Sequence, residues 1–213
     1  MPAALAFGFL LTFGSNIGQT YFISLFAANI QEELKLTHGS FGLIYTIATL
    51  SSALIFIWFG KFADRYNLFI LAISAIVGLV LCALLMAYTM SITVLFFAIF
   101  GLRLLGQGQL GHIAMTAMGR WYVTYRGRAV SIAALGYPTG EAVLPLLISY
   151  CLFFLPWRDV WIWASVGMLI LVCPVTLLAN HLTKVNRLGR SQCPSLIKER
   201  EMKRSWTRSE VIK

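Results

Sequence analysis

Six long runs with little or no charge divide this chain, at about 3–29, 39–59, 67–88, 92–119, 129–154 and 160–182. Each reaches the roughly 20 apolar residues that a helix needs to cross a bilayer. In lipid, every backbone N–H and C=O must be satisfied inside the protein, which leaves only helices or a closed barrel. Barrel strands alternate polar and apolar residues over about ten positions, and these runs do not alternate. They predict an all-α, polytopic membrane protein with six transmembrane helices. Only 12% of the 213 residues are charged, against roughly 25% in a soluble domain. Lipid takes the place of the missing polar surface.

The cations set the orientation. Lys61 and Arg65, then Arg120, Arg126 and Arg128, then every cation from Lys184 onward fall on one side of the predicted membrane. Lys35 and Arg158 fall on the other, and Arg103 lies within a run. Positively charged loops stay in the cytoplasm, so both termini are predicted there, in a multi-pass protein of the cell membrane. Residues 1–182 form the predicted bundle. Residues 183–213 are a basic cytoplasmic tail or the start of a central loop. The net charge of +9 is not gathered into a basic face interleaved with stacking aromatics, which argues against a nucleic acid partner. Met1 to Leu11 has no basic start and no cleavage site, unlike a removable signal peptide. Cys82, Cys151, Cys173 and Cys193 are scattered and read as packing residues, with no disulfide frame and no metal site. No cofactor is implied. No paired His and Asp cluster suggests an enzyme.

Two charges lie well inside the runs. Arg103 and Glu141 sit about 16 and 12 residues from the cytoplasmic ends of the fourth and fifth runs, roughly 24 and 18 Å deep. A lone charge there costs at least about 2.5–3.5 kcal/mol, so each is expected to face the bundle interior or a wet cavity. Two roles suit them: a structural ion pair, or a substrate-anion anchor (Arg103) beside a proton-coupling acid (Glu141). Asn16, Gln19, Tyr21, Tyr45, Thr49 and Gln107 are further polar groups at membrane depth. Asn16 and Gln19 are three apart, on one face of a helix. Interhelical hydrogen bonding explains any one of them; as a set they suit a cavity lining. Gly101, Gly106, Gly108 and Gly111, with Gly136 and Gly140, allow close helix approach, and Pro138 permits a bend. Trp157, Trp161 and Trp163 suit an aromatic belt at the outer interface. The third run is almost wholly aliphatic and is expected to face lipid on most sides.

Gly60-Lys61-Phe62-Ala63-Asp64-Arg65-Tyr66 is the charged interruption that follows the first two long apolar runs and reads as a tight turn at the membrane surface. It resembles the G-x-x-x-D-R signature between helices two and three of the major facilitator superfamily, although Asn67, Leu68 and Phe69 depart from the basic residues that usually follow. Arg103 with Gly106-Gln107-Gly108 is similar to that family's helix-four pattern. Gly136, Pro138 and Gly140 partly resemble its Gly/Pro-rich helix five, and Pro156-Trp157-Arg158 its start of helix six. The resemblance spans about residues 1–182. It implies a 3+3 inverted repeat, alternating access and a second six-helix half, so that this chain is an N-terminal half. It also implies that Gly60, Asp64 and Arg65 form a conformational latch. The function so implied is secondary active transport, by symport or antiport, of a small solute. A positive Arg103 favours an organic anion such as a monocarboxylate, bound by Arg103, Gln107, Asn16, Gln19 and Tyr45. The alternative is a non-transporting assembly or sensory subunit of the membrane.

Overall fold

The computed structural model describes residues 2–122, 125–170 and 174, except for the side chains of residues 2 and 61–65. The predicted tail and the end of the sixth run lie outside the described residues. The first run holds α1 (Pro2–Gly14), a 3-10 turn (Ser15–Gly18), α2 (Thr20–Ser24) and α3 (Ala27–Glu33). The second is α4 (His38–Arg65) and the third α5 (Leu68–Ala87). The fourth comprises α6 (Ile92–Gly101), a π-helical segment (Leu102–Leu110) and α7 (Gly111–Trp121). The fifth is α8 (Arg126–Ala134) with α9 (Gly136–Phe154). The helix over 157–170, α10, opens the sixth. Among the described residues there is no strand. Four helical stretches are long and apolar enough to cross a membrane: His38–Gly60, Leu68–Ala87, Ile92–Trp121 and Arg126–Phe154. The protein is an all-α, polytopic membrane protein.

The first run is not one helix. Gly14 and Gly18 are weak helix formers, and Ser15 and Asn16 bond the preceding turn instead of solvent. Ser15 Oγ donates to the Thr12 carbonyl at 2.8 Å and Asn16 Nδ2 to that of Phe13 at 2.9 Å. The chain tightens to a 3-10 turn and passes through an extended Gln19 before α2 begins. Asn16 and Gln19 therefore do not share the face of a continuous helix.

Three other expectations need correction. The tight turn at Gly60 is absent: α4 runs on to Arg65, and the reversal is confined to Tyr66 and Asn67. A single glycine costs a helix about 1 kcal/mol, too little to end one. What starts the next helix is Asn67, whose Oδ1 accepts from the Phe69 N–H at 2.9 Å, an N-cap. The third run, now α5, does not face lipid on most sides. It buries Leu68, Ala72, Ala75, Ile76, Leu79, Ala83 and Met86, one stripe at helical spacing, against α6 and the π-helical segment. Trp161 is no belt residue: it is fully buried, its ring 5.3 Å from Phe22 and 4.9 Å from Phe26. Trp163 is exposed.

The two ends of the bundle are closed differently. At one, the rings of Phe7, Phe69 and Trp121 pack with centroids 5.3–5.5 Å apart, Phe69 stacked on Trp121 and edge-on to Phe7, joining α1, α5 and α7. At the other, Arg158 binds three connections at once. It pairs with Glu33 at 2.6 Å, donates to the carbonyls of Ala87 and Thr89, and lies 4.7 Å from the Trp157 ring centroid. Trp157 Nε1 donates to the same Glu33 carboxylate at 3.0 Å. The Arg158 hydrogen bonds hold the Glu33 carboxyl below its ordinary range against the opposing effect of burial.

Candidate functional site

The 3-10 turn of the first run lies between the π-helical segment on one side and α9 on the other, with α1 just before it packed on α8 and α9. Contact on the first side is backbone on backbone. A Cβ added to Gly18 would fall on the Leu102 carbonyl oxygen and 2.7 Å from the Gly106 Cα, and one added to Gly106 would be equally blocked. On the second side a Cβ at Gly136 would fall on Thr12 Oγ1 and 2.6 Å from the Phe13 nitrogen. Small residues let helices approach this closely in lipid, where the hydrophobic effect does not drive them together. Pro138 lies early in α9, just past the break at Leu135, where its missing N–H interrupts no long helix.

On the α9 side the polar groups are saturated. Thr12 Oγ1 donates to the Ala133 carbonyl at 2.6 Å. Asn16 is fully buried; its Nδ2 reaches the Gly136 carbonyl at 3.0 Å, and its Oδ1 accepts from the Tyr21 hydroxyl at 2.9 Å. Nothing in this group is left to bind a solute. It is an interhelical tie.

On the π-helical side the polar groups are open. Arg103, second residue of that segment, uses Nη1 to donate to the Gly18 carbonyl (3.3 Å) and to Thr20 Oγ1 (3.0 Å). Its guanidinium lies 5.8 Å from the Tyr45 ring centroid, a cation–π distance. Neither hydrogen-bond acceptor is an acid. Arg103 Nε, Tyr45 Oη and Thr49 Oγ1 are buried and have no hydrogen-bond partner among the described residues. Tyr45 and Thr49 are four apart on α4, one turn along the same face. Buried polar atoms without partners are scarce in folded proteins and each calls for an explanation, such as an absent water or ion. One of these atoms belongs to the guanidinium itself and one to the ring beside it; N–H and O–H donors of this kind suit the acceptor oxygens of an anion. A π-helical stretch of nine residues is also rare, and π-helical turns are concentrated at functional sites.

The other predicted residues separate. Gln107 is exposed on the π-helical segment. Gln19 is half-buried at the start of α2. Glu141 is exposed on α9, and no ion pair joins it to Arg103; the structural pairing of these two charges is not formed. Gly60 lies within α4, while the side chains of Asp64 and Arg65 lie outside those described. Sequence reasoning missed Thr20 as a partner of Arg103, since only the broken first run brings its hydroxyl there. It also passed over Gln109, which is buried with Oε1 unpartnered.

A cavity of about 410 Å³ lies elsewhere, lined by Phe13, Ile17, Leu144, Ile148, Val160 and Met168 among others. Its walls are almost wholly apolar and offer nothing to orient a polar solute, so the open polar cluster carries the functional reading. Among the described residues no group of His, Cys, Asp and Glu is placed to hold a metal ion. The family model described as Major Facilitator Superfamily matches residues 8–207. No curated protein and no solved structure matches the chain.

Proposed function

Because this chain belongs to the major facilitator superfamily, a family of transporters, we propose that it carries a small organic anion, a monocarboxylate for preference, by secondary active transport. One observation supports the substrate class: the Arg103 guanidinium keeps a buried Nε without a partner, has no acid beside it, and lies against Tyr45, whose Oη is also buried and unpartnered, as is Thr49 Oγ1 one turn along α4. A carboxylate takes two parallel bonds from an Arg fork, and such charge-assisted bonds are the strong ones. Gln107, exposed on the same segment, is a second contact for the solute. Glu141 is the proton-coupling group in this reading, exposed on α9. Transport proceeds by rocking of two six-helix halves, each a 3+3 inverted repeat, with the termini in the cytoplasm and Gly60, Asp64 and Arg65 in the latch between the halves.

In this reading a second six-helix half, in the same protein or as a partner chain, packs against this one. Its support is a stripe of exposed apolar residues on α4, Leu43, Ile47, Leu50, Leu54 and Ile57, and another on α9 through Val143, Leu147 and Tyr150. Lipid covers whatever the partner does not. Solute binding needs only residues present here, so it is tested on this chain alone. L-lactate is expected to raise the melting temperature of the detergent-solubilised protein, as a ligand that binds only the folded state must, and to leave Arg103→Ala unmoved. Lack of any lactate effect on the wild type, or an equal effect on both proteins, overturns the proposal and favours a non-transporting subunit.

A further inference from the structure

His112, two residues past the π-helical segment, reaches across to α4. Its Nε2 lies 3.2 Å from the Gly60 carbonyl oxygen, and its ring meets the Phe56 ring edge-on at 5.7 Å. Phe56 and Gly60 are one helical turn apart, so two successive positions of α4 hold the imidazole. The Phe56 ring fits there because Gly108 has no side chain: a Cβ at Gly108 would lie 3.0 Å from it. A carbonyl inside a helix keeps a second lone pair after accepting its helical bond, and Nε2–H donates to that one. Past Gly60, α4 runs on to Arg65, and it touches α7 at few places. His112 is thus a polar fastening between the fourth run and the end of α4 that carries the 60–66 cluster.

Arg103 and His112 stand at opposite ends of the π-helical segment Leu102–Leu110. A π-helix is bonded i→i+5. Any change of that segment toward i→i+4 bonding turns everything after it about the helix axis relative to everything before it. We propose that His112 is a positioning residue that carries changes in the π-helical segment, and with them the state of Arg103, to the 60–66 end of α4. The proposal rests on the transport reading for what occupies Arg103, but not for the coupling. It gives the family-like signature after Gly60 a physical line to the open cluster, through one hydrogen bond and one ring contact.

The test is amide hydrogen exchange over residues 61–66 in the full chain in lipid vesicles. His112→Leu is expected to speed exchange there roughly fivefold, the effect of losing one hydrogen bond. His112→Gln, which restores an N–H near the Nε2 position, stays near wild type. His112→Asn, polar but too short to reach Gly60, behaves like Leu and serves where Leu does not fold. Arg103→Ala is expected to alter exchange over 61–66 in the His112 protein and to have no effect in the His112→Asn background. Unchanged exchange in both His112→Leu and His112→Asn overturns the proposal. So does an Arg103→Ala effect that persists without His112. Failure of L-lactate to bind leaves these outcomes intact and strikes only the transport reading, so the two fail separately.

Discussion

Two polar clusters flank the 3-10 turn of the first run, and they differ in one respect. Around Asn16 every donor and acceptor in the α9-facing group has a protein partner. Around Arg103, three buried atoms have none. Both clusters lie at membrane depth, both are built from residues the sequence marks as unusual there, and both link the first run to a neighbour. Saturation separates a tie from a site. A satisfied amide in lipid stabilises packing and has no capacity left for a solute. An unsatisfied one is a standing cost, which only a bound ligand or water relieves.

The largest effect expected is on binding, and it falls on the open cluster alone. Arg103→Ala should weaken L-lactate binding about 100-fold, close to 2.7 kcal/mol for a charge-assisted pair. Its melting temperature should stay or rise, because an uncompensated buried charge is removed. Arg103→Lys should rescue little, since an ammonium lacks the planar fork. Isothermal titration and a thermal melt check both halves. A variant that binds normally but melts early would make Arg103 a tie like Asn16 and end the contrast.

Asn16→Leu should do the reverse. It strips partners from the Gly136 carbonyl and the Tyr21 hydroxyl, at about 2 kcal/mol for the two together, while lactate affinity in the surviving protein stays within about twofold. Tyr45→Phe sharpens the point further, because it deletes a hydroxyl just as Tyr21→Phe does. At Tyr45, whose Oη has no partner, stability should hold and affinity fall roughly fivefold, about 1 kcal/mol. At Tyr21, stability should fall by about that amount and affinity hold. Equal stability losses at both tyrosines would show that saturation is not what distinguishes the clusters.

Much of this was legible in the chain, and what was not has a physical reason. Charge-free runs report length and apolarity, so the apolar spans His38–Gly60, Leu68–Ala87 and Arg126–Phe154 were readable to within a few residues, although α4 runs past its span to Arg65. The glycine content of the fourth and fifth runs correctly pointed to close approach at Gly106 and Gly136. Hydropathy is blind to how a run is wound inside, so the break at Ser15–Gly18 and the π-helical segment went unseen. Those two irregularities decide the site. The break aims Thr20 at Arg103 and turns Asn16 to the Gly136 carbonyl and the Tyr21 hydroxyl. Glu141 showed the limit of depth arithmetic: its height suited Arg103, but rotation about the helix axis leaves it exposed on α9. Arg158 read as the first turn of a helix, and its role in gathering three connections needed partners more than 60 residues away in the chain.

That Arg158 cluster separates saturation from burial, and it should give the smallest effect. It is as fully bonded as the Asn16 group, yet Glu33 is 43% exposed. Solvent screens such a pair, which brings its worth below about 1 kcal/mol. Its folded-state pKa is lowered chiefly by the Arg158 hydrogen bonds. The stability it adds is therefore present in full above the unfolded glutamate value of about 4.3 and is lost as the pH falls through the lower folded value. Glu33→Gln should cost a small amount at pH 7, and the gap between mutant and wild-type melting temperatures should narrow below about pH 4. A loss as large as that of Asn16→Leu would mean that bonding alone, whatever the exposure, makes a cluster structural. A gap that widens on acidification would mean that Glu33 is held protonated, the opposite of what its partners dictate.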